Sequence, residues 1–147
     1  MWLNIEHYMV DGANWQEQVI MMILKGRIRE VTNDTYNTEY HKYDAEVVIG
    51  RYENCREQGY VFSLKYKEFK QLAHYCVFEH RNSDSICIIK FNGSFINTPT
   101  IEDIWKDRKD KYDYDKLFES GQFNEVADWL ISNMKKEISD YKEKNEK

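Results

Sequence analysis

The run Tyr60-Val61-Phe62-Ser63-Leu64-Lys65-Tyr66 places a large apolar or aromatic side chain at every second position. A period of two belongs to a strand with one face turned to a core, because successive side chains on a strand point to opposite faces. Three neighbouring runs share the character: Ala45-Glu46-Val47-Val48-Ile49, His74-Tyr75-Cys76-Val77-Phe78-Glu79-His80 and Ile86-Cys87-Ile88-Ile89-Lys90-Phe91. All are short, β-branched and aromatic, and polar connections such as Arg81-Asn82-Ser83-Asp84 and Asn92-Gly93 separate them. Four strands joined by short loops imply an antiparallel meander around residues 43–95.

Outside the meander the period becomes that of a helix. Phe123, Val126, Ala127, Leu130, Ile131, Met134, Ile138 and Tyr141 recur at spacings of three and four, one apolar stripe of a helix over about 122–142, with 143–147 expected to fray. Thr100 can cap a second helix over about 100–110, with Asp103 three residues on and Ile101, Ile104 and Trp105 as its core face. A short helical turn is expected from Asp115 to Glu119, ending at Gly121. On the amino-terminal side, Trp2 to Val10 reads as a strand. Asn14 and Glu17 suit a capping box opening a helix through Lys25, stopped by Gly26 and followed by a strand over Arg27 to Val31. One long strand from Gln18 to Val31 fits the same residues.

The expected fold is therefore α+β: an antiparallel four- to six-stranded sheet packed by carboxy-terminal helices. The 147 residues fit a single domain, 1–147, and a chain of that length buries roughly two-thirds of its unfolded surface, enough for one core without staples. No apolar run approaches the ~20 residues that cross a bilayer. The amino terminus lacks the basic and apolar regions of a signal peptide. Cys55, Cys76 and Cys87 are an odd number, which speaks against a secreted disulfide scaffold and for a cytoplasmic location.

A net charge of −5 disfavours direct nucleic-acid binding, which draws most of its affinity from Lys and Arg on phosphates. Most of that charge lies in Ile101–Met134, with nine acids against five bases. Asp103, Asp107 and Asp110 fall at i, i+4 and i+7 of one helical face, and Asp113 and Asp115 follow. Such a row can imitate a phosphate backbone, although the interleaved Lys106, Arg108, Lys109 and Lys111 also suit a solvated helix laced with i,i+4 pairs. Tyr36, Tyr40, Tyr43 and Tyr52 crowd a polar region, and Tyr is among the residues that most often anchor protein interfaces. Packing on the sheet's second face is the competing reading of these tyrosines.

Catalytic signals are sparse. His74, Cys76 and His80 share a strand face, and Cys87 could lie across from Cys76, a set that would suit tetrahedral zinc. The spacing matches no common zinc pattern, so the cysteines read as buried apolar residues and the histidines as edge or surface groups, with no metal expected. Glu79, Asp84 and Lys90 are the nearest to a metal-dependent nuclease set, on what otherwise reads as a charged hairpin tip. Cys55, between Asn54 and Arg56, lacks any nucleophile signature, and no Gly-rich phosphate loop occurs. No cofactor is expected.

The expected function is a non-enzymatic binding or inhibitor protein acting on a larger protein partner. In gross character only, small, acidic and motif-free, the chain resembles phage and mobile-element inhibitors of host defence, anti-CRISPR proteins included; no residue motif carries that likeness. A partner site is expected at Asp103, Asp107, Asp110, Asp113, Asp115, Tyr36, Tyr40, Tyr43 and Tyr52, blocking a nucleic-acid-binding surface. The alternative is a small metal-dependent hydrolase or nuclease built around His74–Cys87.

Overall fold

The structure, a computed structural model, describes residues 2–4, 15–53, 58–67, 70–79, 85–91 and 115–145. The meander is present and runs β4 (Ala45–Glu53), β5 (Gln58–Tyr66), β6 (Lys70–Glu79) and β7 (Ile86–Phe91). The short strands β1 (Trp2–Asn4) and β8 (Lys116–Phe118) extend it to a six-stranded sheet of order β1-β4-β5-β6-β7-β8, antiparallel throughout. A separate two-stranded ribbon, β2 (Tyr36–Asn37) with β3 (Lys42–Tyr43), precedes β4.

Register decides which side chains meet. Ala45 pairs with Tyr66, Val47 with Leu64 and Ile49 with Phe62, so their side chains share one face. Ala73, Tyr75 and Val77 of β6 and Ile86 and Ile88 of β7 join them in the main core cluster. The helices cover this face. α1 (Trp15–Arg27) contributes Ile20, Met21 and Leu24, and α3 (Phe123–Asn145) contributes Val126, Ala127, Leu130, Ile131, Met134 and Ile138. Each of these Val, Leu, Ile and Met side chains contributes about 1.5–3 kcal/mol of transfer free energy when fully buried, and Ala127 less. The α3 stripe is the one legible in the sequence, and the helix continues to Asn145 rather than fraying at 143.

The opposite face is also buried. Val61, Cys76, Phe78, Cys87 and Ile89 form a second apolar cluster, with Phe91 packed at its margin. That two-sided burial explains why the second face of β6 and β7 carries Cys76, Phe78, Cys87 and Ile89 where a half-solvated strand would carry polar residues.

Two readings are corrected. Residues 27–31 are helical: α1 passes through Gly26 to Arg27, and α2 (Arg29–Thr32) follows after a break at Ile28. Ile28 and Val31 are β-branched, which favours a strand in isolation, but their spacing of three puts both into the core from a helix. Lys116–Phe118 is strand β8, not a helical turn, because Ile86, Cys87 and Ile88 of β7 offer it an edge to pair with. Gly121 follows at φ 91°, a conformation that favours glycine, and the chain then enters α3. The helix expected over about 100–110 and the strand beyond Asn4 fall outside the described residues. Among the described residues no helix is long and apolar enough to cross a membrane.

Candidate binding site

Between α2 and β4 the chain is polar, and local hydrogen bonds hold it. After α2 a single 3-10 turn, Asn33–Thr35, ends in Thr35, the buried hinge of the segment. Its hydroxyl donates to the Thr32 carbonyl at 2.6 Å and accepts the Ala45 N–H at 3.0 Å. Its carbonyl accepts the Asp44 N–H at 2.8 Å. One residue thus ties the start of the ribbon to its end. At the ribbon's tip the Asn37 side-chain oxygen accepts the N–H groups of Glu39 at 3.0 Å and Tyr40 at 3.4 Å, the Asx arrangement that makes Asn a turn former.

This frame presents aromatics to solvent. Tyr36 and Tyr43 face each other across the ribbon, edge to face, with ring centroids 5.0 Å apart. They remain about half exposed, and Tyr40 at the tip is 63% exposed. Beside them lies a cleft of about 450 Å3 lined by Asn37, Tyr40, Lys42, Asp44 and Lys67. That volume is within the roughly 300–1,000 Å3 typical of ligand pockets. The Lys42 ammonium sits 5.8 Å from the centre of the Tyr40 ring. Lys67 enters from the far side, where the chain leaves β5, and its N–H donates to the Asp44 carbonyl at 2.8 Å. The Lys67 ammonium lies 5.6 Å from the ring of Tyr66, which is itself buried and packed edge-on against Tyr141 of α3 at 5.3 Å.

Backbone strain converges on the same place. Among the described residues, the two non-glycine residues with positive φ are His41, at 53°, and Lys67, at 52°. His41 stands between two lining residues and Lys67 is one. A non-glycine residue in this region costs of order 1–3 kcal/mol and persists where surrounding structure over-determines it, often at binding sites.

Asp103, Asp107, Asp110, Asp113, His80, Asp84 and Cys55 lie outside the described residues, and of Tyr52 only its place in β4, opposite Gly59, is described. Asp115 is exposed but engaged: its carboxylate accepts the Lys90 N–H at 2.6 Å, and its own N–H donates to Ile88. It therefore fastens the start of β8 onto β7.

The sheet set is also corrected. Cys87 pairs with Phe78 and Cys76 with Ile89, so the two thiols are diagonal rather than opposite. His74 is not an edge or surface group: it is fully buried, its Nδ1 hydrogen-bonded to the Ser63 hydroxyl on the neighbouring strand. Glu79 pairs with Ile86 and Lys90 with Tyr75, four residues apart along the hairpin, about 13 Å at strand rise. Lys90 is instead bound to Glu137 of α3. Among the described residues no three His, Cys, Asp or Glu are grouped to hold a metal ion.

Asn37, Lys42, Asp44 and Lys67 were not singled out from the sequence. Asn37 carried a usable signal, a turn former within a polar run. Lys67 carried none, because its neighbours are set by the meeting of β5 with the ribbon, far apart in the chain. No protein-family model, curated protein or solved structure matches the chain.

Proposed function

We propose that this chain is a non-enzymatic binding protein that engages a larger protein through the β2–β3 ribbon. The observation that carries the reading is the exposure of Tyr36, Tyr40 and Tyr43 together on one internally braced hairpin. Large aromatics left in water gain by being covered, and tyrosine loses little rotamer freedom when it is. A ribbon fixed by Thr35 and Asn37 presents them with little ordering still to be done at binding, which favours affinity.

The finer form of the reading is a phage or mobile-element inhibitor of host defence that occupies a nucleic-acid-binding surface. The net charge of −5 and the acidic row Asp103, Asp107, Asp110, Asp113 and Asp115 support it. Action in a cytoplasm is supported by an odd cysteine count with Cys76 and Cys87 as buried thiols outside any disulfide.

The test is partner capture from a host lysate with the wild-type chain and with the Tyr36→Ala/Tyr40→Ala/Tyr43→Ala variant. These side chains are exposed, so the variant is expected to keep its circular dichroism spectrum and lose the captured protein. A folded variant that captures the same protein as the wild type removes the ribbon from the reading. Reversal of Asp103, Asp107 and Asp110 to Lys tests the acidic row separately: undiminished capture would exclude it.

A further inference from the structure

We propose that the cleft beside the ribbon receives an acidic segment of the partner, with a carboxylate seated against Lys42 and Lys67. The inference rests on the protein-binding reading and adds to it the chemistry of the contact.

Charge is the first ground. The cleft is lined by two lysines, one aspartate, one asparagine and one tyrosine, residues whose formal charges sum to +1 in a chain whose total is −5. A basic partner would find acids in many places on such a protein, whereas an acidic one is repelled by most of its surface. A recess that gathers two lysines therefore discriminates by sign, and discrimination needs repulsion elsewhere as much as attraction at the site.

Construction is the second ground. Lys42 and Lys67 come from separate parts of the chain and line one cleft, and the Lys67 N–H donates to the carbonyl of Asp44, the residue that closes the ribbon. Lys67 adopts a left-handed backbone to do so, and His41 does the same beside Lys42. Both ammonium groups rest within 6 Å of a tyrosine ring, at 5.8 and 5.6 Å, which limits the volume their long stems sweep. Lysines held in this way lose less freedom on meeting a carboxylate than lysines on an open surface. The Asp44 carboxylate and the Tyr40 hydroxyl then serve the peptide N–H and carbonyl groups of the same segment.

The test is a 15N-resolved NMR titration of the full chain with a capped penta-glutamate peptide, alongside capped penta-lysine and inorganic phosphate. Saturable shifts are expected at Asn37, Tyr40, Lys42, Asp44 and Lys67 with penta-glutamate, weakening as salt is raised. Penta-lysine should leave these amides in place. In Lys42→Gln/Lys67→Gln the affinity should fall several-fold, since an exposed ion pair contributes up to roughly fivefold each. Shifts confined to other surfaces, no shifts at all, or equal response to phosphate and peptide would overturn the inference. Should the peptide fail while the triple tyrosine variant still loses its captured protein, the acidic segment is wrong and the ribbon reading stands. Loss of both would sink both.

Discussion

Tyr75 shows how a single hydroxyl sets the molecule's response to alkali. Its ring is fully buried, edge-on to Trp129 at 6.1 Å, with the Lys90 ammonium 6.0 Å from its centre. Its hydroxyl is buried and has no hydrogen-bond partner among the described residues. Burial first, and the Glu137 carboxylate second, push its pKa far above that of a free phenol. Because the folded pKa is raised, the associated stability is fully present below about pH 10, where the unfolded phenol titrates, and is lost as pH rises beyond it. Tyr75→Phe should stabilise the protein by about 1 kcal/mol at neutral pH, since it removes an unsatisfied buried hydroxyl while keeping the ring. Urea melts of both proteins at pH 7 and pH 11 check this. The variant should lose less stability on going alkaline, and equal losses would show that other groups govern the response. Lys67 offers the converse case at the candidate site. Its φ of 52° costs an L-residue about 1–2 kcal/mol that glycine avoids, so Lys67→Gly should raise the melting temperature. A lower melting temperature would mean that the Lys67 stem, lying along Tyr66, matters more than the strain.

At the scale of elements, α1 is the case where local signals misled. Gly26 reads as a stop, yet α1 continues through it, because Leu24 and Ile28 on either side are both drawn into the core. Tertiary burial overrode a propensity difference of about 1 kcal/mol. A Cβ built on Gly26 meets nothing within 4 Å and the residue is exposed, so Gly26→Ala should stabilise by about 0.5–1 kcal/mol, measurable by thermal melting. No gain, or a loss, would indicate that α1 ends at Lys25 in solution. The four meander strands and α3 were legible because their periods, two and three to four, persist over many residues. β8 was not, since three residues carry no period and its pairing depends on an edge supplied by β7, some 30 positions earlier. Of the candidate site, the exposed tyrosines could be read from the polarity around them. The cleft could not, because it exists only where the exit of β5 meets the ribbon.

For the whole molecule, the decisive feature is a sheet buried on both faces. The helix face carries α1 and α3, while the other holds Val61, Cys76, Phe78, Cys87 and Ile89 at almost no exposure. If the two clusters form one cooperative unit, the second face opens only when the whole protein unfolds. Cys76 and Cys87 report this directly, since both are thiols outside any disulfide and fully buried. In a Cys55→Ser background, a chromogenic disulfide reagent should leave both thiols unmodified in the native protein over hours. With added urea, the free energy of opening obtained from thiol labelling should fall with the same slope as that from circular dichroism, because the slope measures the surface exposed. A shallower slope at Cys76 and Cys87 would show the second face opening by itself, a smaller unit laid over a more stable helix-covered layer. The ribbon and its cleft hang from the helix-covered side, through Thr35 to Ala45 and through Lys67 to Tyr66. In that two-unit case labelling would proceed without loss of the binding surface, whereas a single cooperative unit ties labelling and loss of the surface to the same event.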